Sequence, residues 1–389
     1  MFYGLIDLPW WGYIAVALIF THVTTTAVTL YLHRYSAHRG LELSPVVSHF
    51  FRLWLWLSTG MHTKSWTAIH RKHHSRCETD EDPHSPKALG LKTVFWYGAE
   101  LYRKESKNQE TLERYGQGTP DDWMERKIYT PLTKYGVFTM MAINIVLFGV
   151  PGITLWAFQM FWIPFTAAGI VNGIGHAFGY RNFECADASR NVSPIGIFLC
   201  GEELHNNHHT FGTSAKFSVK WWEFDIGWMY ITILSAFGLA KAKRVAPKVH
   251  IVNEKAAIDI DTVKAVITNR FEVLAEYARD VIKPVLREHK QALGADDSLV
   301  RRSILRDKII VDESSLQSLQ KVLEAHPTLA VVYNFREQLQ AIWARSTASQ
   351  KELLEALQEW CRQAESTGIA ALAEFARSIK KYSLPQALA

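Results

Sequence analysis

Histidines occur in clusters whose spacing is suited to metal binding. The sequence contains one H-x4-H pair and two H-x-x-H-H groups, although histidine makes up only 16 of its 389 residues. At that frequency, one H-x-x-H-H is expected by chance about 0.03 times in a chain of this length. On a helix, positions i, i+3 and i+4 share a side, so we expect each H-x-x-H-H to direct three imidazoles to one place. The clustered histidines are His33, His38, His70, His73, His74, His205, His208 and His209.

A fourth element, Asn172-x-x-x-His176, places an amide and an imidazole one helical turn apart. A single histidine at such a position is more often a hydrogen-bonded core residue. Beside the three clusters we include it, which gives nine imidazoles. Imidazole nitrogen suits iron, zinc and copper, and nine ligands exceed what one ion takes, so the sequence predicts two metal ions.

Three other interpretations of these residues are weaker. A closed zinc site uses four ligands and most often some cysteine, whereas the chain has four cysteines and no C-x-x-C pair. Solvated basic loops would explain Arg71 and Lys72 but not the repeated spacing. A carboxylate-bridged di-iron site would use the E-x-x-H matches at Glu202 and Glu81, but Pro83 prevents a helix from passing through the second match.

Long apolar segments must position the clusters. We expect three of them to cross a bilayer core of about 30 Å, one as a single span and two as the arms of a helical hairpin. Each cluster follows an apolar segment, and Lys and Arg tend to stay on the cytoplasmic side, so we expect an outer N-terminus and a cytoplasmic site. A fourth segment has basic residues on both sides, and we expect it to be interfacial or re-entrant. The spans are about 10–32, 136–150 and 153–175, and the interfacial segment is 41–61.

Composition changes near residue 250. Residues 251–389 contain 19 basic and 19 acidic residues and only two of the 14 tryptophans, so the first part carries the whole net charge of +5. Helical periodicity recurs in 271–282, 335–343 and 353–361, with Asp261 expected to begin a helix and Gly294 to end one. The sequence therefore predicts an all-α protein with a linker around Lys241–Pro247. Its two domains are an integral membrane helical domain with a cytosolic histidine-bearing cap (1–245) and a soluble helical bundle (250–389).

The order of these motifs over membrane spans resembles the membrane-bound fatty acyl desaturases. The likeness covers about residues 10–240 and is strongest to the stearoyl-CoA (delta-9) type and its bacterial relatives. Trp66 before the second cluster, Glu78–His84 after it and Glu202-Glu203-Leu204 before the third also match. The resemblance implies two irons held by the nine histidines, with Asn172 reaching an iron through water. By family position Trp66 shapes an apolar substrate tunnel, although an interfacial anchor is an equal alternative.

The resemblance also implies an activity. It is the insertion of a cis double bond, at carbon 9, into a saturated C16 or C18 acyl chain, with O2 and two electrons consumed and water formed. Such an enzyme is an oxidoreductase acting on paired donors. The alternative is a histidine-box hydroxylase or oxygenase that leaves oxygen in the product. A non-enzymatic metal-binding membrane protein is the third alternative.

Partners follow from the same resemblance. The chain has no fused cytochrome b5 domain or flavin motif, so electrons must come from a separate ferredoxin, cytochrome b5-like protein or flavoprotein reductase. Ala68-Ile69 replaces a charged pair that contacts CoA in the animal enzymes, which leaves CoA and phospholipid as acyl carriers. We expect the bacterial cytoplasmic membrane, with the active site on its cytoplasmic face. We expect no nucleic-acid partner, since the basic residues flank membrane segments.

Overall fold

The computed structural model describes residues 3–293, 300, 303–306, 308–345 and 347–385. They are mostly helical, which confirms the predicted class, and include three pairs of short strands. The chain divides into two compact units, residues 1–181 with 188–246 and residues 182–187 with 247–389. Gly294, the predicted helix end, lies outside the described residues.

Ten α-helices, three π-helical segments and four strands make up the described part of the first unit. The helices are α1 (Trp10–Ala27), α2 (Pro45–Ser58), α3 (Thr63–Arg76), α4 (Pro86–Leu89), α5 (Leu91–Glu105), α6 (Gln109–Tyr115), α7 (Thr133–Phe148), α8 (Val150–Ile163), α9 (His205–Thr210) and α10 (Ile226–Ala236). The π-helical segments are π1 (Val28–Ala37), π2 (Glu125–Tyr129) and π3 (Pro164–Gly173), the last followed by a 3-10 turn, Ile174–His176. The strands are β1 (Leu41–Leu43), β2 (Ile195–Gly196), β3 (Phe224–Asp225) and β4 (Ala240–Ala242); β1 pairs antiparallel with β4, and β2 pairs parallel with β3.

Two continuous helices are long and apolar enough to cross a membrane, namely Trp10–Ala37 and Val150–His176. In the first of these helices, apolar residues face outward and polar residues face the protein interior, the reverse of the arrangement in a surface helix of a soluble protein. Ile14, Leu18 and Ile19 are each more than half exposed, while Thr24 and Thr25 are buried. Both threonine hydroxyls accept hydrogen bonds from indole N–H groups. An apolar outer side and a small, polar inner side are typical of a helix that faces lipid.

The hairpin of α7 and α8 has the same arrangement. The Nδ2 group of Asn144 donates to Oε1 of Gln159 at 3.0 Å, with both side chains buried, whereas Phe138, Val146 and Phe161 are more than half exposed. In lipid, a polar pair of this kind holds two helices together. The apolar helix α10 was not predicted, because its 11 residues are too few to stand out as a span.

The segment predicted to be interfacial forms β1 and α2. Helix α2 has 14 residues, about 21 Å at 1.5 Å per residue, which is shorter than a bilayer core. Strand β1 pairs with β4, so that Glu42 lies opposite Lys241. Lys241 therefore belongs to a strand of the first unit, and Lys243 forms an ion pair with Glu42. Only the end of the predicted linker, at Pro247, coincides with the division of the chain into two units.

The second unit packs its helices around one apolar core that includes Tyr277, Trp360 and Phe375. Asp259, not Asp261 as predicted, caps its first helix, because the Asp259 carboxylate accepts the N–H of the third helical residue. Asp261 instead accepts hydrogen bonds from the hydroxyl of Ser383 and the N–H of Leu384, near the end of the chain. The described elements are β5 (His250–Ile251), α11 (Ile260–Thr268), α12 (Arg270–Tyr277), π4 (Ala278–Ile282), α13 (Lys283–Glu288), α14 (Lys290–Leu293), a 3-10 turn (Lys308–Ile310), α15 (Glu313–Ala325), α16 (Pro327–Ala344), α17 (Gln350–Ser366), α18 (Ala370–Ile379) and β6 (Tyr382–Ser383), with β5 and β6 antiparallel.

Candidate metal centre

The H-x4-H pair lies at the end of π1, with His38 as its C-cap, and the π geometry explains the spacing of the pair. In an α-helix, residues five apart are rotated about 140° from each other, because each residue turns the helix by about 100°. Here the N–H of His38 donates to the carbonyl of His33 at 3.0 Å, which closes a turn of five residues. His33 and His38 therefore lie on the same side, with their ring centroids 5.0 Å apart.

The two H-x-x-H-H groups lie on α3 and α9. Helix α9 has only six residues, too few to be stable without support. Side chains around it supply that support: Nδ2 of Asn207 donates to Oε2 of Glu223 at 2.8 Å and to the carbonyl of Phe217 at 3.0 Å. The backbone N–H of Asn207 donates to Oδ1 of Asn191 at 3.1 Å. The short helix is thus held in a fixed position by buried hydrogen bonds.

Five histidines from three elements converge in a first group. Their ligand nitrogens all lie within 4.8 Å of one another. The Nε2 atom of His208 is 2.9 Å from Nε2 of His33 and 2.9 Å from Nε2 of His74, and the Nε2 atoms of His38 and His70 are 2.8 Å apart. The first group consists of His33, His38, His70, His74 and His208.

The other four histidines lie in a second group. Ligand atoms of His73, Cys77, His176 and His209 are within 4.8 Å of one another, and Nε2 of His205 is 3.0 Å from Nε2 of His176. Each H-x-x-H-H therefore divides between the two groups, instead of directing all three rings to one place as predicted. The reason is that its last two histidines are adjacent in sequence and point about 100° apart on a helix.

Three carboxylates fix the orientation of the rings. The Nδ1 atom of His33 is 2.7 Å from Glu202, that of His73 is 2.9 Å from Asp82, and that of His176 is 3.0 Å from Glu78. A carboxylate accepts, so in each pair Nδ1 carries the proton and Nε2 presents a lone pair. A carboxylate on the outer nitrogen is the usual support of a histidine that binds a metal.

The donor set fits metal ions better than it fits hydrogen bonds. The Nε2 atom of His208 lies 2.9 Å from a nitrogen of His33 and 2.9 Å from a nitrogen of His74, and a single N–H cannot donate to both. Two nitrogen ligands at right angles on one ion, each with a bond of about 2.1 Å, are about 3.0 Å apart, which is close to the observed distances. Burial, and then the neighbouring histidines, hold the pKa of His70, His74 and His208 well below the usual range. The rings are therefore neutral, the form that binds metals.

The remaining predicted residues lie close to these groups or beside them. Trp66 is partly buried and stacks on His70, with ring centroids 4.8 Å apart and planes within 14°. It also meets the ring of His33 at 5.8 Å. Asn172 is partly exposed at the end of π3, and its side chain forms no hydrogen bond within the described part of the chain.

Sequence reasoning missed several residues of the site. Glu202, Glu78 and Asp82 each meet an imidazole, although the sequence pattern marks them only as neighbours of the clusters. His84 stacks on His73 at 4.3 Å, and its buried Nε2 has no hydrogen-bond partner among the described residues. Cys77 could have been recognised from the sequence as a neighbour of the histidine cluster, because it follows His73 by four positions, on the same side of the helix.

Comparison with known proteins shows which sequences this chain is similar to. The family model described as fatty acid desaturase matches residues 8–231. The chain is 30% identical to an sn-1 stearoyl-lipid 9-desaturase of Anabaena variabilis, over 61% of this chain and 86% of the relative. It is 29% identical to the enzyme of the same name from Synechocystis sp., over 63% and 76%. It is 31% identical to an acyl-CoA 5-desaturase of Anemone leveillei, over 57% and 68%.

A second family model, described as transposase, matches residues 229–384. It covers less than half of the chain and begins inside α10. A match of this length does not show a family for this chain and carries no functional argument.

The desaturase match spans more than half of the chain and includes all nine histidines. The predicted resemblance is confirmed, and with it an oxidoreductase that acts on an acyl substrate at a membrane and draws on a redox partner. This chain belongs to the fatty acid desaturase family and is an acyl desaturase.

Proposed function

We propose that the protein inserts a cis double bond at carbon 9 of a saturated C16 or C18 acyl chain, using O2 and two electrons from a separate donor protein. The observation that supports this most is the convergence of nine imidazoles into groups of five and four. A structural zinc site needs only four ligands. Two adjacent nitrogen-rich groups, backed by buried carboxylates, suit a pair of redox-active ions.

The first group would hold one iron, and His73, His176, His205 and His209 would hold the other, with Asn172 acting through a water molecule. When bound, the irons supply the dioxygen activation that removes two hydrogens from neighbouring methylenes, with the oxygen leaving as water. The chain's own task is to hold the ligands in fixed positions and orientations. Glu202, Asp82 and Glu78 hold protons on Nδ1, which leaves each Nε2 directed inward.

Trp66 would position the first group from its substrate side. Its indole plane covers the ring of His70, so it restricts the rotation of that ligand and shields it from water. Exclusion of water protects a reactive oxidant from side reactions. The same indole offers an apolar surface for a methylene chain, which gains about 0.8 kcal/mol per buried CH2.

We propose a lipid-bound acyl chain as the substrate, in preference to acyl-CoA. Two of the three relatives described above are named stearoyl-lipid desaturases. Ala68 and Ile69, which replace a charged pair, are at most 3% exposed and offer no charge to a CoA headgroup. The lipid-exposed helices support an integral membrane location, and we place the site on the cytoplasmic face of a bacterial membrane because Lys and Arg flank the spans there.

Expression in a desaturase-deficient host, followed by gas chromatography and mass spectrometry of the lipids, tests the activity. We expect a new monounsaturated acid with its double bond at carbon 9, absent when a His208→Ala variant is expressed. Hydroxylated acids would instead support the oxygenase alternative. If no new acid forms although a compatible ferredoxin and reductase are co-expressed and the purified protein contains iron, the proposal is wrong.

Short radioactive labelling distinguishes the two acyl carriers, membrane lipid and acyl-CoA. Short labelling with a radioactive saturated acid should give labelled product first in intact membrane lipid, because the bond forms after esterification. Label that appears first in the acyl-CoA pool would contradict the lipid proposal and leave the desaturase activity intact.

A further inference from the structure

Cys77 lies at the edge of the second histidine group, where α3 ends. The helix stops at Arg76, and Cys77 is its first non-helical residue. It follows His73 by four positions, so its side chain leaves the helix on the same side as that ring. Its Sγ atom is 3.9 Å from Nε2 of His73, the nitrogen that is left unprotonated when Nδ1 donates to Asp82.

The distances around Cys77 match those of ligands on one ion. With a metal–sulfur bond of about 2.3 Å and a metal–nitrogen bond of about 2.05 Å, a sulfur and a nitrogen on a tetrahedral ion are about 3.6 Å apart. Ligands on opposite sides of an ion reach about 4.4 Å. The observed 3.9 Å lies between these values. The ligand atoms of Cys77, His73, His176 and His209 all lie within 4.8 Å of one another. This limit is only slightly larger than the distance of about 4.4 Å between ligands on opposite sides of one ion.

The turn that carries Cys77 is tied to the same group by the next residue. Glu78 has a positive φ of 66°, a conformation rare for residues other than glycine. Its Oε1 atom accepts from Nδ1 of His176 at 3.0 Å and from the N–H of Ala188 at 3.3 Å. Cys77 therefore lies between His73 and the residue that orients His176, in a backbone fixed at both ends.

From this geometry we propose that Cys77 is a thiolate ligand of the second metal ion. The proposal rests on the proposed function, since it adds a ligand to the ion held by His73, His176, His205 and His209. On binding, the thiol loses its proton to solvent and a sulfur–metal bond forms, with no electron transferred. One ion then has only nitrogen ligands from the protein, while the other also has a soft sulfur ligand, so the two ions differ in ligand type.

X-ray absorption spectroscopy of the zinc-loaded full-length protein tests this ligand. Zinc has no redox chemistry, so the thiol is not oxidised by the metal, and the measurement does not depend on activity. Elemental analysis should give two zinc ions per chain. The spectrum should show one sulfur for every two zinc ions at about 2.3 Å, beside nitrogen at about 2.0–2.1 Å.

Two variants complete the experiment. Cys77→Ser should lose the sulfur signal, and a chelator should remove zinc from its second site at least tenfold more readily. The matched control, Cys361→Ala, replaces a buried cysteine in the core of the second unit and should keep the signal. Two zinc ions with nitrogen and oxygen ligands only, or sulfur retained in Cys77→Ser, would overturn this proposal and leave the two-metal site standing. A protein that does not bind two zinc ions would overturn the proposed function as well.

Discussion

At the scale of single residues, the carboxylates behind the histidines determine whether the site is prepared for metal. Glu202 accepts from His33 at 2.7 Å and from the hydroxyl of Thr29 at 2.5 Å, in a buried environment. Its negative charge makes the imidazole a stronger donor to a metal and fixes its tautomer. The neighbouring Glu203 accepts instead from the backbone N–H groups of Leu199 and Gly201.

We predict that Glu202→Gln weakens metal binding by about 10- to 100-fold, because the amide keeps a hydrogen bond but loses the charge. Zinc affinity of the purified protein, measured by competition with a chelator, checks this. Glu203→Gln is the matched control and should change the affinity by less than about threefold, since the Glu203 carboxylate accepts from backbone N–H groups and from no histidine in the described part of the chain. Equal losses in the two variants would show that Glu202 has no specific role in positioning His33.

We predict that His73→Ala retains the first metal ion and loses the second. His73 belongs to the second group and the five rings of the first group are unchanged, so zinc should fall from two ions per chain to about one. Activity should fall at least about a hundredfold, because the reaction requires both ions in fixed positions. His49→Ala, which replaces an exposed residue on α2, should keep both ions. A fully loaded and active His73→Ala protein would contradict the ligand assignment.

At the scale of elements, α3 and π1 must keep a fixed relative position, since both supply the first group. Arg71 holds them together. Its guanidinium donates to the carbonyls of Ser36 and Ala37 at the end of π1, and to those of Tyr115 at the end of α6 and Gln117 beyond it, at 2.8–2.9 Å. The basic residue in the middle of a histidine cluster is therefore structural.

Arg71→Ala should lower the free energy of unfolding by about 2–4 kcal/mol, since several hydrogen bonds from a charged group are lost, each worth about 1.5–3 kcal/mol at most. The thermal unfolding midpoint in detergent, measured with zinc bound, should fall accordingly. Arg76→Ala removes an exposed ion pair with Glu81 and should leave the unfolding midpoint nearly unchanged. If the two variants unfold at the same temperature, Arg71 does not join the elements.

Part of these elements could be predicted from the sequence. The long spans were found because more than 20 apolar residues in a row are rare outside membrane helices, and nine histidines were found because their repeated spacing is improbable by chance. The division of each H-x-x-H-H between two groups was not found. The angle of about 100° between adjacent helical residues separates the last two histidines of each H-x-x-H-H, but the partners that each ring meets depend on the direction from which π1 and α9 approach α3, which is a tertiary property.

Other failures were local. The cap of α11 was placed two residues late, because Asp259 and Asp261 are equivalent by residue type and only the backbone distinguishes them. The π geometry of π1 was not predicted either, although a pair of ligands five residues apart is a signal for it. Cys77 was overlooked because a single cysteine, considered without its position relative to His73, carries no information about metals.

At the scale of the whole molecule, the metal site and the second unit are formed by different residues. All nine histidines and the three supporting carboxylates belong to the first unit, and the second unit has its own apolar core. Residues 182–187 belong to the second unit although they come between His176 and α9 in the chain. The second unit therefore combines two separate stretches of the sequence, 182–187 and 247–389.

We predict that a chain ending at residue 246 still binds two zinc ions and loses turnover with the natural electron donor. Metal binding should persist, because every proposed histidine ligand is retained. We propose that residues 250–389 either dock the donor or lie against the membrane face. If they dock the donor, turnover should fall at least about tenfold, because docking raises the rate at which the partners meet productively. Zinc content confirms that the truncated protein is folded, and titration with donor should show a higher concentration for half-maximal rate. Unchanged turnover at every donor concentration would exclude a docking role, and loss of zinc would mean that the second unit supports the fold of the first.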